Sequence, residues 1–137
     1  MKKVFLKYWL PVIIWASVIF YFSHQPYLKS DLPGAWDFAL RKTAHVTEYF
    51  ILCLLLLRAL GQQGAQAGLK QAIFWAVALS ILYAVSDEFH QSFIAGRQPA
   101  LRDIGFDSLG ALLAAGLYYL TKKRDGNTLS EDKKMVK

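Results

Sequence analysis

Apolar residues along this chain fall into four blocks divided by polar or turn-forming stretches. The first runs over residues 4–22 and is interrupted by the charge of Lys7 and by Pro11. The second covers 43–60 and is densest from Tyr49 to Leu57. The third covers 69–86 and the fourth 104–120. Each has about the ~20 residues that a helix needs to cross a bilayer. Helices on the surface of a soluble protein carry narrower apolar stripes. The pattern therefore predicts an all-α membrane protein, a four-transmembrane-helix bundle. Residues 1–121 make up the membrane domain. Residues 122–137 form a polar tail without apolar periodicity, expected to be disordered or only partly helical. A basic start followed by an apolar core also fits a signal peptide. A cut after Ala16 would put Ile14 at the −3 position and leave 18–22 exposed, so the first block is read as a retained span.

The segments between the blocks differ. Residues 23–42 hold the turn formers Pro26, Pro33 and Gly34. There Trp36, Phe38 and Leu40 interleave with charges, as in a segment lying near lipid head groups. Residues 61–68 are a short Gly- and Gln-rich turn. Residues 86–110, SDEFHQSFIAGRQPALRDIGFDSLG, are unlike either. They carry Asp87, Glu88, His90, Gln91, Arg97, Arg102, Asp103 and Asp107, and they push acids into the start of the fourth span. Beneath those acids the fourth block is rich in small residues, and Gly110-x-x-x-Ala114 has the spacing that lets transmembrane helices approach closely.

Composition agrees with the pattern. A length of 137 residues suggests one domain, and 55% hydrophobic residues favours the membrane class over a soluble one. The single cysteine, Cys53, lies inside an apolar run, so it forms no intramolecular disulfide and reads as a core or lipid-facing residue. A net charge of +6 would raise nucleic acid as a partner for a soluble chain. Here the basic excess clusters at span ends and no nucleic-acid motif accompanies it, so nucleic acid is not expected. Lys2, Lys3, Lys7, Arg58, Lys70, Lys122, Lys123, Arg124, Lys133, Lys134 and Lys137 fall on the side of the termini, eleven in all. The other side has five: Lys29, Arg41, Lys42, Arg97 and Arg102. The positive-inside rule then expects both termini in the cytoplasm, with 23–42 and 87–103 extracytoplasmic.

On that topology polar residues of three spans meet at one depth. Arg41, His45 and Glu48 are spaced i, i+4, i+7 and share a helix face, with Tyr49 four residues after His45. Asp87 and Gln91 share a face if the third helix continues, and Glu88 lies about a quarter-turn away. Asp103, Asp107 and Gly110 share a face of the fourth. An ionised acid at mid-membrane costs ~2.5–3.5 kcal/mol on insertion scales, which argues against lipid exposure. Glu48 and Asp107 are expected to face the bundle interior or water, with Arg97 or Arg102 as bidentate partners and His45 beside a carboxylate. The competing reading is a set of ion pairs and helix caps that closes the bundle, Asp103 being a natural charge for a helix start. The acids and histidines supply enough metal ligands, but HExxH is absent and no metal or cofactor is assigned. Ser86 or Ser92 with His90 could be written as a triad, yet no nucleophile-elbow motif supports it. His24 reads as a lone, solvated loop histidine.

These motifs resemble the VanZ-like family of small bacterial membrane proteins, over residues 23 to about 116. They are Ser23-x-x-Pro26; Lys42-x-x-His45-x-x-Glu48-Tyr49; Ser86-Asp87-Glu88-x-x-Gln91-x-Phe93-x-x-x-Arg97; and Asp103-x-x-x-Asp107-x-x-Gly110. In longer members the position of Asp107 is commonly Asn, and an acid makes the site here more negative. The resemblance implies a four-helix protein of the bacterial cytoplasmic membrane. The name-giving member is associated with low-level resistance to teicoplanin, a lipoglycopeptide that acts on cell-wall precursors.

Three functions follow for the candidate cluster of Lys42, His45, Glu48, Tyr49, Asp87, Glu88, Gln91, Arg97, Asp103 and Asp107. It binds an anionic lipid or cell-wall precursor head group, or teicoplanin, as part of a cell-envelope protein. Or it catalyses a reaction on a lipid-linked substrate, with Glu48, Asp87 or Asp103 as general acid or base and His45 assisting. Or the protein is a structural or assembly partner that uses the small-residue face of its fourth helix.

Overall fold

The computed structural model of the protein describes residues 2–26, 33–61, 68–97 and 100–135. Four helices account for nearly all of them: α1 (Lys2–Ser23), α2 (Gly34–Leu60), α3 (Leu69–Gln91) and α4 (Leu101–Met135). Each contains a stretch long and apolar enough to cross a membrane. The architecture is the expected all-α four-helix bundle.

The helix α2 is the axis of the bundle. It packs on the other three helices, most extensively on α4, whereas α1 meets α3 at few points and does not reach α4 among the described residues. Small side chains explain the α2–α4 seam. A Cβ on Gly110 would lie 2.2 Å from the Val46 carbonyl oxygen, so the two backbones are nearly in contact there. Ala111, Ala114 and Ala115 continue the buried stripe of α4. From α2 come Tyr49, Leu52, Cys53, Leu56 and Leu57, joined by Ala76 and Ala84 of α3 and by Val12 and Ile19 of α1. The outward faces carry exposed Phe74, Leu82, Leu112 and Leu120, the surface that lipid chains would cover. Two side chains fasten α1 through backbone carbonyls: Trp15 Nε1 donates to Glu48 O at 2.9 Å, and Tyr83 OH to Ala16 O at 2.7 Å.

The helices outrun the apolar blocks. α2 begins at Gly34, so Trp36, Phe38 and Leu40 belong to its first turns and not to a connection. α3 continues to Gln91, and α4 starts at Leu101 and stays helical to Met135. The extra turns are polar, and hydropathy marks where charge begins, not where a helix ends. Charged residues continue a helix readily when they pair along it, as Asp37 and Arg41 do at 2.8 Å across i, i+4. Residues 121–135 contain no proline and several good helix formers, which lets the helix extend through the polar tail.

Candidate functional site

The polar turns of α2, the last turns of α3, the first turns of α4 and the end of α1 converge at one end of the bundle. Asp103, Asp107 and Glu88 there meet partners from another element, whereas Asp87 is held within α3 and Glu48 makes no side-chain hydrogen bond to a described residue. Lys42 Nζ donates to Asp103 Oδ1, with the rings of Phe38 and Phe106 beside the ammonium at 5.3 and 5.6 Å. Arg102 approaches the same carboxylate at 3.9 Å from an exposed position. His45 Nδ1 donates to Asp107 Oδ1 at 2.9 Å. Gln91 Nε2 donates to Asp87 Oδ2 at 3.1 Å, one turn along α3. Glu88 Oε2 accepts the Ala100 N–H at 2.9 Å and so ties the end of α3 to the start of α4. Between those helices the chain turns through Gly96, whose φ of 78° favours a residue without a Cβ.

Arg97 belongs to that turn. It reaches back to α1, donating from Nε to Gln25 O at 3.0 Å and from Nη2 to Phe22 O at 2.6 Å. Burial pushes its guanidinium below the ordinary value, and the nearby Asp87 carboxylate opposes the shift.

Two adjoining cavities lie among these groups. The inner one, about 60 Å³, is lined by Ser23, Arg41, His45, Glu48, Asp87, Gln91 and Arg97, with Ile19 and Phe22 as its apolar wall. The outer one, about 270 Å³, is lined by Arg41, Lys42, His45, Gln91, Arg97, Arg102 and Asp103, with Phe38 at its edge. Arg41, His45, Gln91 and Arg97 face both. Around them, Ser23 Oγ, Arg41 Nε, Tyr49 OH, Asp87 Oδ1, Glu88 Oε1 and Asp107 Oδ2 are buried without a hydrogen-bond partner. Asp87 lies beside the Ser23 hydroxyl, but neither Oδ1 nor Oγ meets hydrogen-bond geometry. A buried polar group left dry costs ~1–3 kcal/mol, so this end of the bundle is built to hold water or a polar ligand.

All ten residues singled out in the sequence lie at this end, in different positions. Lys42, His45, Glu48, Asp87, Gln91, Arg97 and Asp103 line the cavities. Tyr49 is fully buried beneath them, Asp107 stands behind His45, and Glu88 is engaged with the start of α4. The expected bidentate pairing of Arg97 or Arg102 with Glu48 or Asp107 does not form. Asp107 has His45, and Arg97 has the carbonyls of Phe22 in α1 and Gln25 just past it, because the turn after α3 delivers Arg97 to the end of α1. His24 is not alone either: its Nδ1 lies 3.1 Å from His90 Nε2, its ring stacks on Phe20, and the His90 ring lies tilted against the same phenylalanine. Ser86 and Ser92 donate to the carbonyls of Tyr83 and Phe89 along α3 and its cap, so neither hydroxyl is given to His90. Among the described residues no three His, Cys, Asp or Glu side chains are grouped as a metal ion needs.

The contribution of α1 escaped the sequence reading. Ser23, Ile19 and Phe22 line the inner cavity. The Ser23-x-x-Pro26 motif was the only signal for it, since an apolar span carries no mark of which turn faces a partner.

Comparison with curated proteins and with solved structures finds no match. Among models of known families, the one described as VanZ/LLP1 matches residues 8–122, a range that reaches from α1 into α4 and takes in the whole polar end. The chain belongs to the VanZ/LLP1 family.

Proposed function

We propose that this VanZ/LLP1-family membrane protein binds the anionic head group of a lipid or a lipid-linked cell-wall precursor at its polar end. The observation that supports this best is the outer cavity, where Arg41, Lys42, Arg97 and Arg102 face a space of about 270 Å³ with Asp103 as the carboxylate among them. Phosphate oxygens are natural partners for such a group of fixed donors. In this reading the protein is a multi-pass component of the bacterial cytoplasmic membrane. Both termini are cytoplasmic and the polar end is extracytoplasmic, which is where wall precursors and glycopeptides such as teicoplanin are met. A reporter fused after Lys123 should read cytoplasmic, and the opposite result removes the site from that leaflet.

A second reading is favoured by one contact. An imidazole held by a buried carboxylate, His45 on Asp107 at 2.9 Å, next to Glu48 at the inner cavity is an arrangement suited to acid–base chemistry on a lipid-linked substrate. The assembly-partner reading has less support, because Gly110, Ala111 and Ala114 are already buried inside the bundle.

The decisive experiment is deletion of the gene and complementation with wild type, Glu48→Gln, Asp87→Asn or Asp103→Asn at matched protein level. The readouts are the pool of lipid-linked wall precursors and teicoplanin sensitivity. The proposal expects deletion to change at least one and the variants to fail to restore it. No change on deletion in either readout sinks the envelope role. Full complementation by all three variants sinks the polar end as its site.

A further inference from the structure

The two cavities differ in the groups they leave unsatisfied. In the outer one, donors dominate. At its junction with the inner one, Arg41 Nε is a buried donor without an acceptor, its guanidinium otherwise turned to Asp37. The inner one shares Arg41, His45 and Arg97 with the outer and adds the carboxylates of Glu48 and Asp87, which the outer one lacks. Glu48 makes no side-chain hydrogen bond to a described residue, and Asp87 Oδ1 is buried and unpartnered. Arg97, which faces both, places its donors on the carbonyls of Phe22 and Gln25 and does not satisfy those carboxylates. An anion alone would fill the outer space and leave the inner acceptors bare. A cation alone would do the reverse.

We propose that the site takes a zwitterionic aminoalkyl phosphate, with the phosphate in the outer cavity on Arg41, Lys42 and Arg102 and the primary ammonium in the inner cavity on Glu48 and Asp87. The inference rests on the head-group reading above and names the class of head group. Size agrees: a water needs ~10–15 Å³ of such space, so an inner cavity of about 60 Å³ admits an ammonium and a methylene or two but not a sugar. Bond type agrees as well. An –NH₃⁺ group brings three donors to oxygens that lack them, whereas a trimethylated ammonium brings none. The Ile19 and Phe22 wall gives the connecting methylenes an apolar side to lie against.

The test uses the full chain in lipid nanodiscs holding equal parts of phosphatidylethanolamine, phosphatidylcholine and phosphatidylglycerol with matched acyl chains. Lipids retained by the protein are counted by native mass spectrometry. Phosphatidylethanolamine should be retained about tenfold over phosphatidylcholine, the value of about one charge-assisted hydrogen bond, and also over phosphatidylglycerol. Glu48→Gln and Asp87→Asn should each bring it down to the level of phosphatidylglycerol. Equal retention of phosphatidylethanolamine and phosphatidylglycerol overturns the zwitterion and leaves the anionic head-group reading standing. Retention of all three at their bulk proportions overturns both. If either variant folds poorly, the wild-type comparison decides alone, because the three N-methyl groups of choline both remove the N–H donors and add bulk that an inner cavity of about 60 Å³ does not admit. Soluble phosphoethanolamine is the remaining arm. Competition by it shows that the head group suffices, and absence of competition with the lipid preference intact places the ligand in the bilayer; either result supports the proposal.

Discussion

Toward the apolar end of the α2–α4 seam, Leu52, Cys53, Leu56 and Leu57 share a core with Ala111 and Ala114, and every buried side-chain polar atom described there has a partner. Toward the other end, the same two helices carry Lys42, His45, Asp103 and Asp107, and all the buried unpartnered polar atoms of the described residues gather around them and the adjoining turns of α1 and α3. One pair of helices thus solves two problems. Lipid chains are as apolar as leucine, so the apolar end is held by close contact alone. The polar end forgoes contact for cavities and forfeits ~1–3 kcal/mol for each group that stays dry. A sequence selected only for stability would have closed those cavities with leucine. That difference is the support for the proposed head-group site at the polar end.

The largest effect that separates the two halves is expected where they join. Gly110→Ala would set a Cβ 2.2 Å from the Val46 carbonyl and 3.0 Å from the Phe50 nitrogen, both backbone atoms that cannot swing away. The seam must open, at a cost of about 3 kcal/mol or more, seen as loss of monodisperse protein or a large fall in melting temperature. Gly105→Ala and Gly116→Ala meet nothing within 4 Å and should be neutral or slightly stabilising through helix propensity. If Gly110→Ala melts like Gly116→Ala, backbone contact is not what holds α2 to α4.

Next in size is the His45–Asp107 pair. Asp107→Ala leaves the imidazole half-buried without its acceptor and should cost roughly 2–3 kcal/mol. The double replacement His45→Met with Asp107→Leu removes both partners and should recover most of that loss, as apolar groups often do in place of buried ion pairs. Head-group retention should stay lost. A double variant as unstable as the single one would mean that the pair stabilises the bundle and is not kept for the site.

Tyr49→Phe turns the comparison around. The hydroxyl is fully buried with no partner, so its removal should leave stability unchanged or raise it by up to about 1 kcal/mol in thermal unfolding. A clear loss of stability would reveal a partner for that hydroxyl, such as a buried water, and would weaken the contrast between the ends.

The two ends were not equally legible. The apolar end follows from composition: four runs of the right length, and small residues at Gly110 and Ala114 that the structure places on the seam. The membership of the polar end was legible too, because helical spacing puts Arg41, His45 and Glu48 on one face and they do line one cavity. Its wiring was not. Which acid meets which base depends on how α2, α3 and α4 are rotated against each other, and one turn of offset decides whether Asp107 meets His45 or an arginine. The parts supplied by α1 depend on carbonyls, and a carbonyl that accepts from Trp15, Tyr83 or Arg97 leaves no trace in the sequence.

The smallest expected effect on stability is the one that best isolates binding. Arg102 is the most exposed of the cations at the outer cavity, and its distance of 3.9 Å to Asp103 is long for an ion pair. Such a contact is worth ~0–1 kcal/mol, so Arg102→Gln should leave the melting temperature within about a degree or two of wild type. Lys42 keeps Asp103 satisfied when Arg102 is lost, so the local structure has no reason to shift. Head-group retention should nevertheless fall several-fold, and the fall should shrink as salt is raised, because a rim charge acts through a screened field. If retention is unchanged at low salt, the outer cavity is not an anion site. The apolar and polar ends would then differ only in how well they are packed.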